Sequence, residues 1–533
     1  MQRESERTKV KNGSYQELDF KAISPEDEAF LRRYGIYTQR PASNGFFMVR
    51  IRIPGGDLAR VQLRTIAELS SRHGRGLADV TVRQSIQLHW VRFESLPKIF
   101  ERLSEVGLST AEAGGDIIRN ILNCPVSGVD KEGLYDTTSL IKQTHDFFFD
   151  NSDFSNLPRK LKIAITGCAV RCVYPEINDI GIFAVHDLER GGVVFRARVG
   201  GGLSTTPRFS KDLGVLFNAE EVVGVCGTIA SVFRDEANRD DGKRPRLNFL
   251  VEQQDMPRFR DMVEARLGRK LRQATDADAP PISERDRSHL GIHAQHQDGL
   301  YYVGLSFVGG RTSADRLKQL ADLAQQYGSG RVRTTNTQNI ILLDIPEEKL
   351  EALKRELDWY GFDYEPSWSR KGIIACTGVQ FCKLALTETK DRAGELSEHL
   401  ENAVRLDEPL RISVTGCPNS CGQHRICDVG LEGSLTTIDG LKRESFEVFL
   451  GGGVGAHETI SRRIGVRIPS DELPERLARL LAYFKERRFE GETFQEFCQR
   501  HSDEELTRAL ASAPLGAELF RITGRTAALD QRC

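Results

Sequence analysis

GFFMVRIRIPGG (45–56) and GLYYVGLSFVGG (299–310) carry one pattern twice, with Gly45/Gly299, Val49/Val303, Gly55/Gly309 and Gly56/Gly310 in step at an offset of 254 residues. The register runs without a gap over 45–108 and 299–362, through Gly74/Gly328, Gly76/Gly330, Thr81/Thr335, Gln84/Gln338, Ile86/Ile340, Leu96/Leu350, Leu103/Leu357 and Gly107/Gly361. A repeat of this length sets the architecture before any single element is assigned. Each unit reads strand, helix, strand, helix: an alternating run, a Gly-Gly turn, an amphipathic stretch such as LRTIAELSSRHG (63–74), a β-rich run, and a second helix SLPKIFERLSEVG (95–107).

Downstream of each unit the similarity continues at slightly different offsets. KLKIAITGCAVRC (160–172) resembles PLRISVTGCPNSC (409–421), and VGGGLS (199–204) resembles LGGGVG (450–455). The chain therefore divides into an N-terminal arm (1–44), a first repeat unit (45–112) with its larger α/β domain (113–270), a linker (271–298), and a second unit (299–365) with its α/β domain (366–533). Within the linker the spacings of His289, His293 and His296 could suit a metal, but a solvated loop is the favoured expectation, since no Cys or carboxylate constellation surrounds them in the sequence. Duplicated halves pack about a pseudo-twofold axis, which places a site between them.

Composition narrows the function. Of 533 residues 39% are hydrophobic and 28% charged, and Lys+Arg 74 against Asp+Glu 76 leave a net charge of −2. This excludes a wholly disordered chain and argues against a nucleic-acid binder. No run approaches the ~18 apolar residues of a membrane span, and MQRESERTKVKNGSYQELDF (1–20) lacks a secretory apolar core, so a soluble cytoplasmic protein with no membrane partner is expected. Eleven cysteines, an odd number, then argue against a disulfide framework.

Four of them fall in ACTGVQFC and TGCPNSCGQ: Cys376 and Cys382, then Cys417 and Cys421. Four thiolates suit a tetrahedral zinc or a [4Fe–4S] cluster, and the five-residue gap of the first pair favours the cluster. In the first half Cys168 and Cys172 match Cys417 and Cys421, Cys124 matches Cys376, and Asp130 stands at the fourth position. That set is either a clusterless remnant or a second cluster with an aspartate ligand.

Basic residues gather in the opposite half. Period two in MVRIRI puts Arg50 and Arg52 on one face and Val49, Ile51 and Ile53 on the other. Lys160 and Lys162 share a face in KLKIAI, Arg83, Gln87 and His89 share one in TVRQSIQLH, and Arg119 follows Gly114-Gly115-Asp116. Converging cations hold anions, and a lysine among other cations can also hand over protons. A redox cluster beside a cationic pocket points to reduction of an oxyanion.

The ordered motifs FMVRIRIPGG, TVRQSIQLH, RNILNCPVSG, LPRKLK, PEINDIG, VGGGLS, ACTGVQFC and TGCPNSCG make the chain resemble the sirohaem-dependent nitrite and sulfite reductases of the ferredoxin-coupled type, from about residue 30 to 500. The resemblance implies an α+β fold with two ferredoxin-like half-domains and two larger mixed α/β sheet domains about the pseudo-twofold axis. It implies sirohaem, a macrocycle with eight carboxylates, coupled to one [4Fe–4S] cluster held by Cys376, Cys382, Cys417 and Cys421, with Cys421 bridging to the sirohaem iron. Arg50, Arg119, Lys160 and Lys162 match the family's oxyanion-binding positions, and Arg83, Gln87 and His89 its sirohaem contacts. Reduced ferredoxin is the implied donor to a monomer; no convincing G-x-G-x-x-G opens a helix after a strand, so no nicotinamide module is expected.

For the substrate, Lys162 favours sulfite, because nitrite-preferring relatives tend to carry Asn there and sulfite has the greater charge. Nitrite reduction to ammonia by the same machinery is the alternative, and a non-catalytic iron–sulfur electron-transfer or sensor protein a distant one. Some sulfite-reducing relatives carry a cysteine just before the Arg119 motif that crosslinks to a tyrosine; Gly114 and Gly115 stand here, so no crosslink is expected.

Overall fold

A computed structural model describes residues 23–41, 44–239, 246–275, 278, 282–283 and 286–511. The first 20 residues, both linker prolines (Pro280 and Pro281) and Cys533 lie outside the described residues. The first half supplies β1 (Ile36–Thr38), β2 (Phe46–Ile51), β3 (Asp57–Ala59), β4 (Leu77–Val80), β5 (Ile86–Arg92), β6 (Leu122–Asn123), β7 (Ile163–Thr166), β8 (Ile180–His186), β9 (Val193–Val199), β10 (Lys211–Phe217) and β11 (Arg272–Gln273). The second supplies β12 (Gly291–Ala294), β13 (Leu300–Leu305), β14 (Arg311–Ser313), β15 (Arg331–Thr334), β16 (Ile340–Pro346), β17 (Ile373–Ala375), β18 (Ile412–Thr415), β19 (Val429–Ile438), β20 (Leu441–Leu450) and β21 (Arg462–Pro469). Among the described residues no helix is long and apolar enough to cross a membrane.

Four sheets result, one of six strands and three of five, and the two built from the repeat units exchange strands. Their orders are β1-β2-β5-β4-β14 and β12-β13-β16-β15-β3, so each takes one short strand from the other half. The boundaries expected at 112 and 365 therefore do not separate closed sheets. The expected β-rich run of each unit is a pair of antiparallel strands, β4 with β5 and β15 with β16. Val49, Ile51 and Ile53 are fully buried, as period two requires, and burial of each side chain contributes about 1.5–3 kcal/mol. One hydrophobic core runs through both units, joining Ile66 and Leu88 to Leu320 and Leu342.

The repeated identities mark the crossing point. Gly55 and Gly56 have φ of 63° and 74°, and Gly309 and Gly310 have 64° and 76°. A Cβ on Gly56 would collide with the Thr334 carbonyl, and one on Gly310 with the Val80 carbonyl, so only glycine fits both turns. Gln84 Nε2 donates to Thr334 O (3.0 Å) and Asn123 O (2.9 Å), and Gln338 Nε2 donates to Val80 O (2.9 Å) and Ala375 O (3.0 Å). These bonds superpose Asn123 on Ala375, and hence Cys124 on Cys376.

Charge distinguishes the two units at this crossing. Asp57 pairs with Arg333 across β3 and β15, Nε to Oδ1 3.2 Å, and Asp79 with Arg311 across β4 and β14, 3.1 Å. Positions 57 and 311 correspond, as do 79 and 333; the first unit is acidic at both and the second basic at both. A unit crossed with its own copy would oppose like charges, so the pattern selects the unlike pair.

Part of the expected linker is folded. Gly291–Ala294 forms β12 at the edge of the second repeat-unit sheet, antiparallel to β13. His289 is buried at 6% exposure, which corrects its placement in a solvated loop, while His293 and His296 are exposed.

Candidate active site between the halves

The cationic wall is assembled by strand register. Arg50 on β2 lies opposite Gln87 on β5. With the Gln87 amide oxygen turned toward it, Arg50 donates from Nε (3.0 Å) and Nη2 (2.8 Å). Arg50 Nη1 donates to the Tyr37 hydroxyl (3.0 Å) and the Ala113 carbonyl (3.1 Å). The other end of the Gln87 amide lies 3.3 Å from Thr377 Oγ1, beside Cys376. Arg119 is fixed by its backbone N–H on the Leu161 carbonyl (2.9 Å), which sets it between Lys160 and Lys162. Its Nε donates to Gly115 O at 3.0 Å.

Burial and mutual repulsion tune these groups. Desolvation and then the Arg119 charge lower Lys160 to about 8, so near neutrality it can both hold charge and release a proton. Lys162 is held well below the ordinary lysine value by desolvation and Arg83. Burial pushes the Tyr37 phenol up, but Arg50 and then Arg119 outweigh it, and its net shift is downward. Asp179 carries part of the positive load, accepting from the Lys162 N–H (2.9 Å) and from Arg246 Nη2 (2.8 Å).

The sulfur wall comes from the adjacent C-terminal ends of the parallel strands β17 and β18. Cys376 follows one and Cys417 the other, and strand ends of this kind are where open α/β sheets bind ligands. Gly416 N–H donates to Cys376 Sγ (3.2 Å) and Asn419 Nδ2 to Cys417 Sγ (3.6 Å). Burial pushes the Cys376 thiol up to about 12, with Cys421 and Cys417 adding to the rise; burial raises Cys417 too, followed by Cys421 and Cys382 among its neighbours. Those four sulfurs thus form one electrostatic group. Left-handed residues at Ser420 (φ 53°) and Gln423 (φ 67°) turn the chain around Cys421, as Arg171 (51°) and Tyr174 (52°) do around Cys172. Cys421 is exposed, and its charge acts on Lys160 across the two halves.

These walls fit the expected groups. Soft thiolates alone line the sulfur side, and no three of the four lie as close together as sulfurs around one ion; a cubane needs that wider spacing because each thiolate takes a different iron. The opposite wall holds Arg50, Arg119, Lys160, Lys162 and Arg246, and the buried Arg83 Nε has no partner. That excess of donors suits a carboxylate-rich macrocycle and an anionic substrate.

Two expected sirohaem contacts sit differently. The Arg83 fork is committed to protein, Nη1 to Asn178 Oδ1 (3.0 Å) and Nη2 to the Asn120 (2.7 Å) and Ile163 (3.2 Å) carbonyls, leaving Nε alone. His89 is a correction: it is fully buried, its Nε2 lies 3.0 Å from Asp79 Oδ2, and its ring stacks on Phe381 at 4.0 Å. It shares the Gln87 face, since Asp79 lies opposite Gln87 in the β4–β5 register, and a bulge at Trp90 (φ 61°) follows it. Conversely, Tyr37, Arg246 and Thr377 reach the site without a sequence signal of their own. A Cβ on Gly114 would fall on the Tyr37 hydroxyl, so the glycine that lacks a crosslinking sulfur also makes room for the phenol.

Residues 114–271 and 369–519 match the family described as nitrite and sulphite reductase 4Fe-4S domain, and residues 39–106 and 293–359 the nitrite/sulfite reductase ferredoxin-like half domain. An assimilatory ferredoxin-dependent nitrite reductase of Haloferax mediterranei is 36% identical over 91% of this chain and 88% of that protein. A sulfite reductase [ferredoxin] of Mycobacterium tuberculosis is 35% identical over 92% of each. The solved structure of Mycobacterium tuberculosis NirA protein superposes with a TM-score of 0.89 at 34% identity, covering 94% of both chains. The chain belongs to the nitrite and sulfite reductase family. It is an oxidoreductase of the α+β duplicated fold, and its cofactors are a [4Fe–4S] cluster and sirohaem, which together supply electrons to the bound oxyanion.

Proposed function

We propose that this enzyme reduces sulfite to sulfide, taking six electrons from reduced ferredoxin and acting as a monomer in the cytoplasm. The balance is one hydrogensulfite, six electrons and six protons giving one hydrosulfide and three waters. In this reading Cys376, Cys382, Cys417 and Cys421 hold the cluster, with Cys421 shared with sirohaem. Arg50, Arg119, Lys160 and Lys162 orient the oxyanion. Lys160, lowered to about 8, hands protons to departing oxygen, and Arg119, which keeps its charge, does not.

The observation that carries sulfite is Lys162, a second lysine two residues from Lys160, whose protonation a doubly charged anion would favour more than singly charged nitrite. Nitrite is the second reading, favoured by relatives named nitrite reductases in Haloferax mediterranei and Leptolyngbya laminosa. Steady-state turnover of both anions with reduced ferredoxin decides between them. In Lys162→Asn the ratio of kcat/KM for sulfite over nitrite is expected to fall about tenfold or more, as for a lost charge-assisted bond. An unchanged ratio removes Lys162 as the discriminating residue.

For the donor, the loop after Cys376 exposes Leu384 (60%) and Leu386 (43%) beside Cys382. The arm braces this loop, Arg40 Nη1 donating to the Ala385 carbonyl (3.1 Å) and Lys383 pairing with Glu28 (2.6 Å). An apolar tip over a cluster ligand is a short electron path for a docked ferredoxin. Leu384→Asp is expected to raise KM for ferredoxin about tenfold while turnover with a small-molecule reductant stays unchanged.

A further inference from the structure

The first half contains a second sulfur set that the reaction above does not use. Cys124, Cys168 and Cys172 are all buried, with their sulfurs within 4.8 Å of one another, and Cys168 Sγ lies 3.8 Å from Cys172 Sγ. Cys124 is the counterpart of Cys376 by the Gln84 and Gln338 bonds, and Cys168 and Cys172 are those of Cys417 and Cys421. The two sets have diverged in three respects. The first-half sulfurs are drawn closer together. Cys172 is fully buried whereas Cys421 is exposed, so Cys172 cannot reach a macrocycle. The fourth position is Asp130, whose Oδ1 accepts the Glu132 N–H at 3.3 Å within its own turn.

The spacing is diagnostic. A tetrahedral ion with metal–sulfur bonds of about 2.3 Å holds its sulfurs about 3.8 Å apart, whereas a cubane spreads them over separate irons. The 3.8 Å between Cys168 and Cys172 equals the single-ion value, and the Cys124 sulfur lies within 4.8 Å of both. A second observation comes from the segment that joins the halves: the His289 imidazole is buried, its Nε2 has no hydrogen-bond partner among the described residues, and of the charged groups around it Cys168 acts on it most strongly. A buried ring nitrogen without a partner is costly unless it binds something.

We infer that Cys124, Cys168 and Cys172 bind one structural zinc ion, and that His289, which lies outside the 4.8 Å group formed by the three sulfurs, turns in as the fourth ligand when the ion binds. Three thiolates and one imidazole form a recurrent zinc set, and zinc needs no redox partner, unlike the cluster in the other half. Three thiolates with Zn²⁺ leave a single negative charge in an apolar pocket lined by Val126, Val129 and Tyr302. Arg333 braces the site, its buried guanidinium donating to the Pro125 (3.0 Å) and Ser127 (2.7 Å) carbonyls of the loop that carries Cys124. The ion ties three segments together: the loop after β6, the loop after β7, and the strand entrance at β12 where the halves join.

Elemental analysis of the holoenzyme tests this without relying on activity. Zinc is expected at about one equivalent per chain beside the cofactor iron, with a zinc-edge absorption spectrum of three sulfur neighbours at about 2.3 Å and one nitrogen. Cys168→Ser and Cys172→Ser are expected to lose the zinc and keep the iron and acid-labile sulfide, and His289→Gln to keep three sulfurs and lose the imidazole signal. Zinc-free holoenzyme, a different metal at these sulfurs, or zinc that survives in Cys168→Ser overturns the assignment. Should the serine variants not fold, the metal content and edge spectrum of the parent enzyme decide alone.

Discussion

Replacing Cys421 with alanine abolishes turnover of both sulfite and nitrite by reduced ferredoxin. In the proposed arrangement Cys421 is the one sulfur that is exposed and that acts electrically on Lys160, so it marks where the sulfur wall meets the cationic wall. A methyl group in its place offers no lone pair to iron, so Cys421 could no longer help to hold the cluster or join it to the sirohaem, as the proposed arrangement requires. The visible spectrum is expected to lose the signature of coupled haem and cluster, and iron and acid-labile sulfide report whether Cys376, Cys382 and Cys417 still retain a cluster. Alanine at Cys226, fully buried in the core of the first large sheet, separates this from a general loss of fold: it costs stability and leaves the spectrum intact. Turnover near the parent rate in Cys421→Ala overturns the bridging role.

The second large effect is on stability. Asp79 is almost fully buried and meets Arg311 Nε at 3.1 Å, His89 Nε2 at 3.0 Å and Lys390 Nζ at 4.0 Å, residues drawn from both halves. Burial opposes its charge, but Lys390, then His89 and Arg311, outweigh burial and hold its carboxyl far below the usual range. Asp79→Ala leaves the buried Lys390 cation without its partner and takes from Arg311 the nearer of its two carboxylates, and is expected to cost about 3–5 kcal/mol, read as a lowered denaturant midpoint. The sign of the pH dependence follows. A depressed carboxyl contributes stability that is complete above its unfolded value of about 4 and fades as pH falls below it. His89 is lowered by burial against the pull of Asp79, so the unfolded chain takes up its proton first, below about 6.5, and stability again falls on acidification. The parent enzyme should therefore lose stability from about pH 6.5 downward, and Asp79→Ala should show a shallower dependence below about pH 4, where the carboxyl contribution fades. Equal slopes would remove Asp79 as the source.

His89 illustrates why part of the site was legible and part was not. Its place in TVRQSIQLH, two residues beyond Gln87, is a true period-two relation, and Gln87 does reach Arg50. Yet His89 faces Asp79 and Phe381 because the bulge at Trp90 and the exchanged strand β14 close that end of the sheet, and neither leaves a pattern in the linear chain. Tyr37 is a parallel case: a three-residue strand in an arm expected to be peripheral adds to β2 and carries a phenol onto Arg50.

Local chemistry decides what the chain alone determined. The duplication, the Gly-Gly turns, the thiolate spacing and the alternation of Arg50 with Val49 and Ile51 depend on residues within a turn or a strand of one another, where backbone geometry translates directly into pattern. Tertiary structure decided the rest, because it depends on contacts between residues about 250 apart. The exchange of β3 and β14, the reciprocal pairs Asp57–Arg333 and Asp79–Arg311, the convergence of Cys421 on Lys160, and the burial of His289 in what reads as a linker all arise only when the two halves close on each other. Burial and charge act through space, and a sequence specifies them only by way of the fold.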